Sequence, residues 1–341
     1  MILIANDGYH AHYFERLGWH KALSQSNVLC GFYTGEVGFD IFDKTSPTIF
    51  IGQLYNINSA TIKCLKERPD TKVILRAGHY SDIKELVDNP NMLAVKEKEI
   101  RALEELNSFL FQKPVIYCHY LQKYINVTHK KFEELGNKII GVPMSADICT
   151  YMDGKYDQDL CTDICFVGGY WPYKGIIIGQ YLTPILGKTN VRAKIFGNQP
   201  WPHINQYCGI ISDEKVKDLF CSSKVCPNLS EPHAHTYGFD LNERAFKVLA
   251  AGGVCVMDNV ESAKEVFGEH VKFASDPKSF KGLIEYLIEN PPTKKTIEDS
   301  KNFVIKNHTN FHRIACMMEA IGELEISKGV MNAHNNYIQQ R

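Results

Sequence analysis

Residues 238–259 read GFDLNERAFKVLAAGGVCVMDN, and the way this stretch divides decides the fold. Phe246, Leu249 and Ala250 recur at helical spacing and face one way, into a domain. The small residues at 250–253 end the helix and lead directly into an apolar strand, GVCVMD, with Asp258 at its end. A helix that feeds a continuous apolar strand is half of a parallel α/β unit, whose strands are covered on both faces.

The same alternation extends in both directions. DICFVGG, VRAKIFG and KVCPNLS precede the quoted stretch as strands, with helices starting near Lys174 and Asp213; VKFAS and further helices follow it. In the first half MILIA, NVLCGFY, TIFIG, KVILRAG, PVIYCH and KIIGVP alternate with helical patterns, among them 11–24 and 92–110. Only VPMSADICTYMDGKYDQDLCTD (142–163) shows neither period, and it reads as an interdomain linker. The expected architecture is α/β, two Rossmann-like domains facing a central cleft. They span 1–145 and 161–322, followed by a helical tail over 323–341.

Bulk composition narrows the function. With 44% hydrophobic residues, 23% charged residues and a net charge of -1, the chain reads as an ordinary soluble protein without a non-specific nucleic-acid footprint. No stretch approaches the length of a membrane span, and the start lacks the pattern of a signal peptide. The eleven cysteines are scattered without a CxxC pair, which points to reduced thiols rather than a disulfide framework or a zinc site. A cytoplasmic location is the expectation.

In open α/β sheets ligands sit beyond the carboxyl ends of the strands, so the loops there hold the candidate residues. The quoted stretch poses a problem of charge. Arg244 and Lys247 follow a helix start, where the backbone dipole disfavours cations. They are three apart and share a face, and an anion held between them explains the pair. The competing explanation is a cap, with Asp240 and Glu243 offsetting the cations. Upstream, FVGGYWPYKG (166–175) places glycines, including Gly169, ahead of Lys174 at a helix start. That is either a setting for a phosphate or simply a tight strand-to-helix turn with a solvated lysine, the commoner case for such a motif alone. Within the polar loop NLSEPHAHTYGFDLNE (228–243), His233, His235, Thr236 and Asp240 can hydrogen-bond a hydroxylated ligand. Trp201 in GNQPWPH is either a stacking platform or a packing residue.

DICFVGG…KG, AKIFGNQPW, GIISDEKVKDLFCSSKVCPNLS and the quoted stretch occur in the order found in GT-B glycosyltransferases. The second half of the chain most resembles their spore-maturation (CgeB-like) branch. That branch carries Arg-x-Phe-Glu and then Ala-x-Gly-Gly; here stand Arg244-Ala245-Phe246-Lys247 and Ala250-Ala251-Gly252-Gly253. The resemblance implies a nucleotide-diphosphate sugar of UDP or GDP type as co-substrate, with no other cofactor and no metal. Lys174 and Arg244, with Gly169, would hold the diphosphate, and backbone around Ile211 would meet the base. His235, Asp240 and Asn242 would meet the sugar. The family's ribose-binding glutamate falls at Lys247, so either Glu243 substitutes for it or Lys247 joins the diphosphate site. An inverting reaction needs a base from the first domain, and His79 and Asp7 lead His10 and Glu36 for that role. The acceptor would be a hydroxyl of a glycan, small molecule, protein or nucleic acid. Two alternatives stand beside this reading: a catalytically inactive GT-B module that binds nucleotide sugar as a scaffold, and a sugar-phosphate epimerase on the same architecture.

Overall fold

The computed structural model describes residues 1–6, 11–78, 90–188, 190–202, 204–239 and 241–341. They form two units, Met1–Pro143 with Asn310–Arg341, and Met144–Thr309. The first unit holds β1 (Ile2–Asn6), β2 (Cys30–Thr34), β3 (Ile49–Gln53), β4 (Lys72–Arg76), β5 (Val115–Cys118) and β6 (Ile139–Gly141). The second holds β7 (Thr162–Val167), β8 (Ala193–Phe196), β9 (Ser223–Asn228), β10 (Cys255–Asp258) and β11 (Lys272–Ala274). Every strand coincides with an apolar run of the sequence. β3 and β10 are buried at every position, as strands covered on both faces must be.

The two sheets share one plan. Their orders are β2-β1-β3-β4-β5-β6 and β11-β10-β9-β7-β8, and all pairings are parallel. In each, the second strand lies on one side of the first and the third on the other. The connections therefore diverge between β1 and β3, and between β7 and β9. Such a divergence opens a crevice beyond the carboxyl ends of the strands.

Three expectations are corrected. The stretch 142–163 is not a free linker. It forms the helix Ile148–Tyr151, and Ala146, Ile148, Tyr151 and Met152 are buried in the second unit. Its alternation was hidden because a four-residue helix is too short to show a period. The loop 228–243 contains the helix Pro232–Tyr237, with proline in its first turn and Gly238 at φ 75° ending it. Finally, the C-terminal boundary falls at Thr309/Asn310 rather than at 322, because residues 310–341 belong to the first unit. There the helix Asn310–Ala320 packs on the helices Ala11–Gln25 and Leu324–Gln339. It buries Phe311, Ile314, Met317 and Met318, while Arg313 Nε donates to Pro143 O at 2.7 Å and Lys72 pairs with Glu323 at 2.7 Å.

That last assignment makes a prediction. Phe311 is fully buried, so Phe311→Ala should destabilise the first unit by about 3–5 kcal/mol, the usual cost of emptying a buried aromatic site. Urea unfolding followed by the fluorescence of Trp19, which lies buried in the first unit, measures it. An unchanged midpoint would mean that the tail is not part of that core.

Candidate functional site

Arg244 stands at the β7/β9 divergence. It is the second residue of the helix Glu243–Ala250. Its Nε donates to Val167 O at 2.7 Å, at the end of β7, and one Nη donates to Asn228 Oδ1 at 2.9 Å, at the end of β9. One guanidinium thus ties two strand ends together. A guanidinium has five N–H groups, and the other three meet no acceptor among the described residues. Burial lowers its pKa to about 10, so the group is held in a setting that disfavours its charge. Gly168 makes room for it: a Cβ there would lie 2.5 Å from Nη2.

Lys174 comes to the same place from the helix Pro172–Ile177. Its Nζ lies 5.9 Å from the centre of the Phe166 ring and 4.9 Å from that of Trp171. The Arg244 guanidinium carbon lies 4.0 Å from the centre of the same Phe166 ring. Both cations lie within reach of one aromatic ring, which attracts each of them, and like charges gathered there favour a bound anion.

Lys247 does not join them. The helix Glu243–Ala250 has only eight residues, so Lys247 already sits in its last turn, where the dipole favours a cation. Its Nζ pairs with Glu243 Oε1 at 2.9 Å and lies 4.3 Å from the centre of the Tyr151 ring. Burial pushes the Glu243 carboxyl up, and Lys247 pulls it back. Of the two cations the sequence singled out, only Arg244 is misplaced with respect to the helix.

The helix Pro232–Tyr237 brings His235 to Asp258, with Nε2 and Oδ2 at 2.7 Å. His233, by contrast, is buried and stacks parallel to Tyr173 at 6.1 Å. Asn242 donates to Leu229 O at 3.2 Å, tying the helix start to the end of β9. Asp240 lies outside the described residues. Gly169 is half-buried, with Asn198 Oδ1 and the Trp171 ring beside it. Next to it the β8 loop bonds the segment holding Ile211, through Gly197 N to Gly209 O at 3.0 Å. Ile211 is half-buried, whereas Ile210 is 79% exposed.

Trp201 is a packing residue. It is buried, its indole N–H donates to Gly168 O at 3.1 Å, and its ring meets Phe166 edge-on at 4.9 Å. The exposed aromatics of this rim are Trp171 and Tyr173. Sequence reading missed Phe166, Asn228 and the partner of Asp258. For Phe166 and Asn228 the signal available was their place in the pattern, in the last three residues of β7 and β9. His235 and Ser230 lie beyond β9, and nothing local marks their pairing with Asp258.

In the first unit a cavity of about 670 Å³ opens at the β1/β3 divergence. The strand ends Ala5–Asn6, Thr34–Gly35 and Gly52–Gln53 line it, with Glu36 and Lys98 as charged members. Buried Arg16 supports its floor by donating to Ala5 O at 2.7 Å, and Arg76 holds Gln53 Oε1 at 2.9 Å. The expected bases Asp7 and His79 lie outside the described residues, as does His10. Nearby, His12, Glu15 and His119 place three potential metal-ligating atoms within 4.8 Å of one another. Burial, and then the charges of Arg76, Arg16 and Arg313, holds His119 well below its ordinary pKa.

Residues 180–319 match a protein-family model described as "Glycosyl transferase-like". No curated protein sequence matches the chain at a significant level. Among solved structures, an alpha-glucosyltransferase in complex with UDP-glucose and DNA containing an abasic site superposes with a TM-score of 0.63. The two are 12% identical, over 94% of this chain and 98% of that one. Phage T4 BGT, solved with its UDP-glucose substrate, gives 0.56 at 13% identity over 94% and 99%. A glycosyltransferase from Rickettsia africae gives 0.58 at 14% identity over 95% and 98%. The fold of the chain is therefore that of the GT-B glycosyltransferases. At these identities the likeness speaks for the fold.

The Glu243–Lys247 pair can be tested by itself. Glu243→Gln leaves a mostly buried ammonium without its carboxylate and should cost on the order of 3 kcal/mol in urea unfolding. The double variant Glu243→Gln, Lys247→Met should recover most of that loss. Unchanged stability in the single variant would mean that water screens the pair.

Proposed function

We propose that this chain is a glycosyltransferase that moves a sugar from a nucleoside-diphosphate sugar to an acceptor hydroxyl. The observation that carries the reading is the pair of cations on one ring. Lys174 and Arg244 converge over Phe166 at the β7/β9 divergence, and three Arg244 N–H groups meet no protein acceptor among the described residues. A diphosphate supplies acceptors for those three N–H groups and brings negative charge beside both cations. The matched segment 180–319 contains Asn228, His235, Arg244 and Asp258. The nucleotide sugars bound by two structural neighbours support UDP as the first donor to try, ahead of GDP.

In this reading the bond between the anomeric carbon and the donor's phosphate oxygen breaks, and the electron pair leaves with the diphosphate. Arg244 and Lys174 stabilise the charge that develops there, so no step calls for a metal. Backbone at Gly168–Gly169 lets the phosphates approach, and Ile211 lies in the segment that would meet the base. Asn242 and Asp240 flank the sugar. Glu243 and Lys247, tied to each other, stand where the family's ribose-binding glutamate would be. The acceptor enters the first-unit cavity, whose amides and hydroxyls suit a polar molecule. In an inverting reaction its proton passes to a base there, with Asp7 and His79 the candidates. We place the protein in the cytosol and, on the motifs around Arg244, near the spore-maturation branch. Lys247 in place of a glutamate is the feature that favours a second reading, an inactive nucleotide-sugar-binding module.

Arg244→Ala tests the donor site. Losing one charge-assisted contact, about 1.5–3 kcal/mol, should weaken nucleoside-diphosphate binding roughly 10- to 150-fold. Thermal-shift titration with UDP and GDP measures it, and circular dichroism checks the fold. Unchanged affinity would sink the assignment. Slow release of free sugar from the donor by the wild-type protein would separate an enzyme from a binding module.

A further inference from the structure

The donor site as proposed leaves Asp258 without a task. Its carboxylate is fully buried at the end of β10. Three donors converge on it: Ser230 N reaches Oδ2 at 2.8 Å, Ser230 Oγ reaches Oδ1 at 2.9 Å, and His235 Nε2 reaches Oδ2 at 2.7 Å. Ser230 lies just beyond β9, so both of its bonds hold the carboxylate from the neighbouring strand end. Tyr181 packs against the His235 ring at 5.8 Å. The ring is thus fixed from two sides, and 23% of its side chain remains exposed.

The chemistry of this contact decides which nitrogen of a neutral imidazole carries the hydrogen. An ionised carboxylate only accepts, so the hydrogen between the two groups belongs to His235 Nε2. A neutral imidazole has one such hydrogen, which leaves a lone pair on Nδ1. Nδ1 is not buried and meets no protein partner among the described residues. The strand ends of the second unit therefore offer two opposite surfaces. Arg244 and Lys174 present only donors, which suit phosphate oxygens. His235 presents an acceptor, which phosphate oxygens would repel and a hydroxyl would satisfy.

We propose that Asp258 is a positioning residue that holds His235 with its lone pair on Nδ1, and that His235 thereby recognises a hydroxyl of the donor's sugar. This rests on the donor site proposed above and adds a specificity element to it. His235 separates a nucleotide sugar from the bare nucleotide, which offers no hydroxyl at that point.

Two measurements test it. The first is the ¹⁵N chemical shifts of the His235 ring at neutral pH, without ligand. The expected result is a protonated Nε2 and an unprotonated Nδ1 in the wild type. In Asp258→Asn, whose amide can itself donate, the proton should shift towards Nδ1. A wild-type ring with the proton on Nδ1, or with both nitrogens protonated, overturns the proposal. The second is calorimetric binding of UDP against UDP-glucose, and of GDP against GDP-mannose. Asp258→Asn should lower affinity for the preferred nucleotide sugar about tenfold, at the upper end for one neutral hydrogen bond, and leave the bare nucleotide unchanged. Equal weakening of both ligands means a structural role and overturns it. His235→Ala, at a partly exposed position, should give the same selective loss if Asp258→Asn does not fold. A wild type that binds none of the four ligands removes the donor site itself, and the hydroxyl assignment with it. The ring shifts still report on the role of Asp258 in that case.

Discussion

One guanidinium joins the two strands between which the second sheet divides. Arg244 bonds a backbone carbonyl at the end of β7 and an amide side chain at the end of β9. The connections from these two paired strands run to opposite sides of the sheet, and their pairing extends to Ile164 and Val225, short of the ends that Arg244 joins. The position is costly for a cation, as its lowered pKa shows. The cost is tolerated because two fixed acceptors hold the group, and because the face left open suits an anion. Gly168, Phe166, Lys174 and Trp201 are arranged around that one side chain.

The polar groups at these strand ends are sorted by what they offer. Arginine and lysine carry only donors, while His235, in the tautomer proposed above, turns an acceptor outward. A ligand with phosphate at one end and hydroxyls at the other fits such an arrangement, and the reverse orientation would put like against like. The first unit has the same topology with a different filling. Its divergence holds a polar cavity whose floor is supported by buried arginines bonded to cavity-lining strand ends. There the arginines lie beneath the floor, where in the second unit Arg244 opens onto the crevice.

Much of the architecture was legible in the residues. The eleven strands of the described residues appear as short apolar runs. Those buried at every position, such as β3 and β10, do so because strands covered on both faces cannot alternate with polar residues. Gly168 and Gly169 before Lys174 and the helix carrying Arg244 were legible too, because strand ends are marked by a change of composition. Other features were not. The helix Pro232–Tyr237 is six residues long, too short for a period to emerge, although its proline and Gly238 were visible. Trp201 could not be read as buried, because its surroundings come from β7, 33 residues earlier.

The sequence alone therefore determined the class of fold, the order of its strands and the strand-end loops that carry the candidate residues. Those depend on local pattern, and local pattern is written along the chain. The tertiary structure decided which charges are engaged. Lys247 is matched by Glu243 and Tyr151, Arg244 is pinned between strands, and His235 is turned by Asp258 from 23 residues away. It also decided that the last helices belong to the first unit, through contacts with a helix near the start of the chain. Spacing along a sequence sets what neighbours on one element can share. Pairings between elements depend on how sheets and helices close on one another, and no local pattern records that.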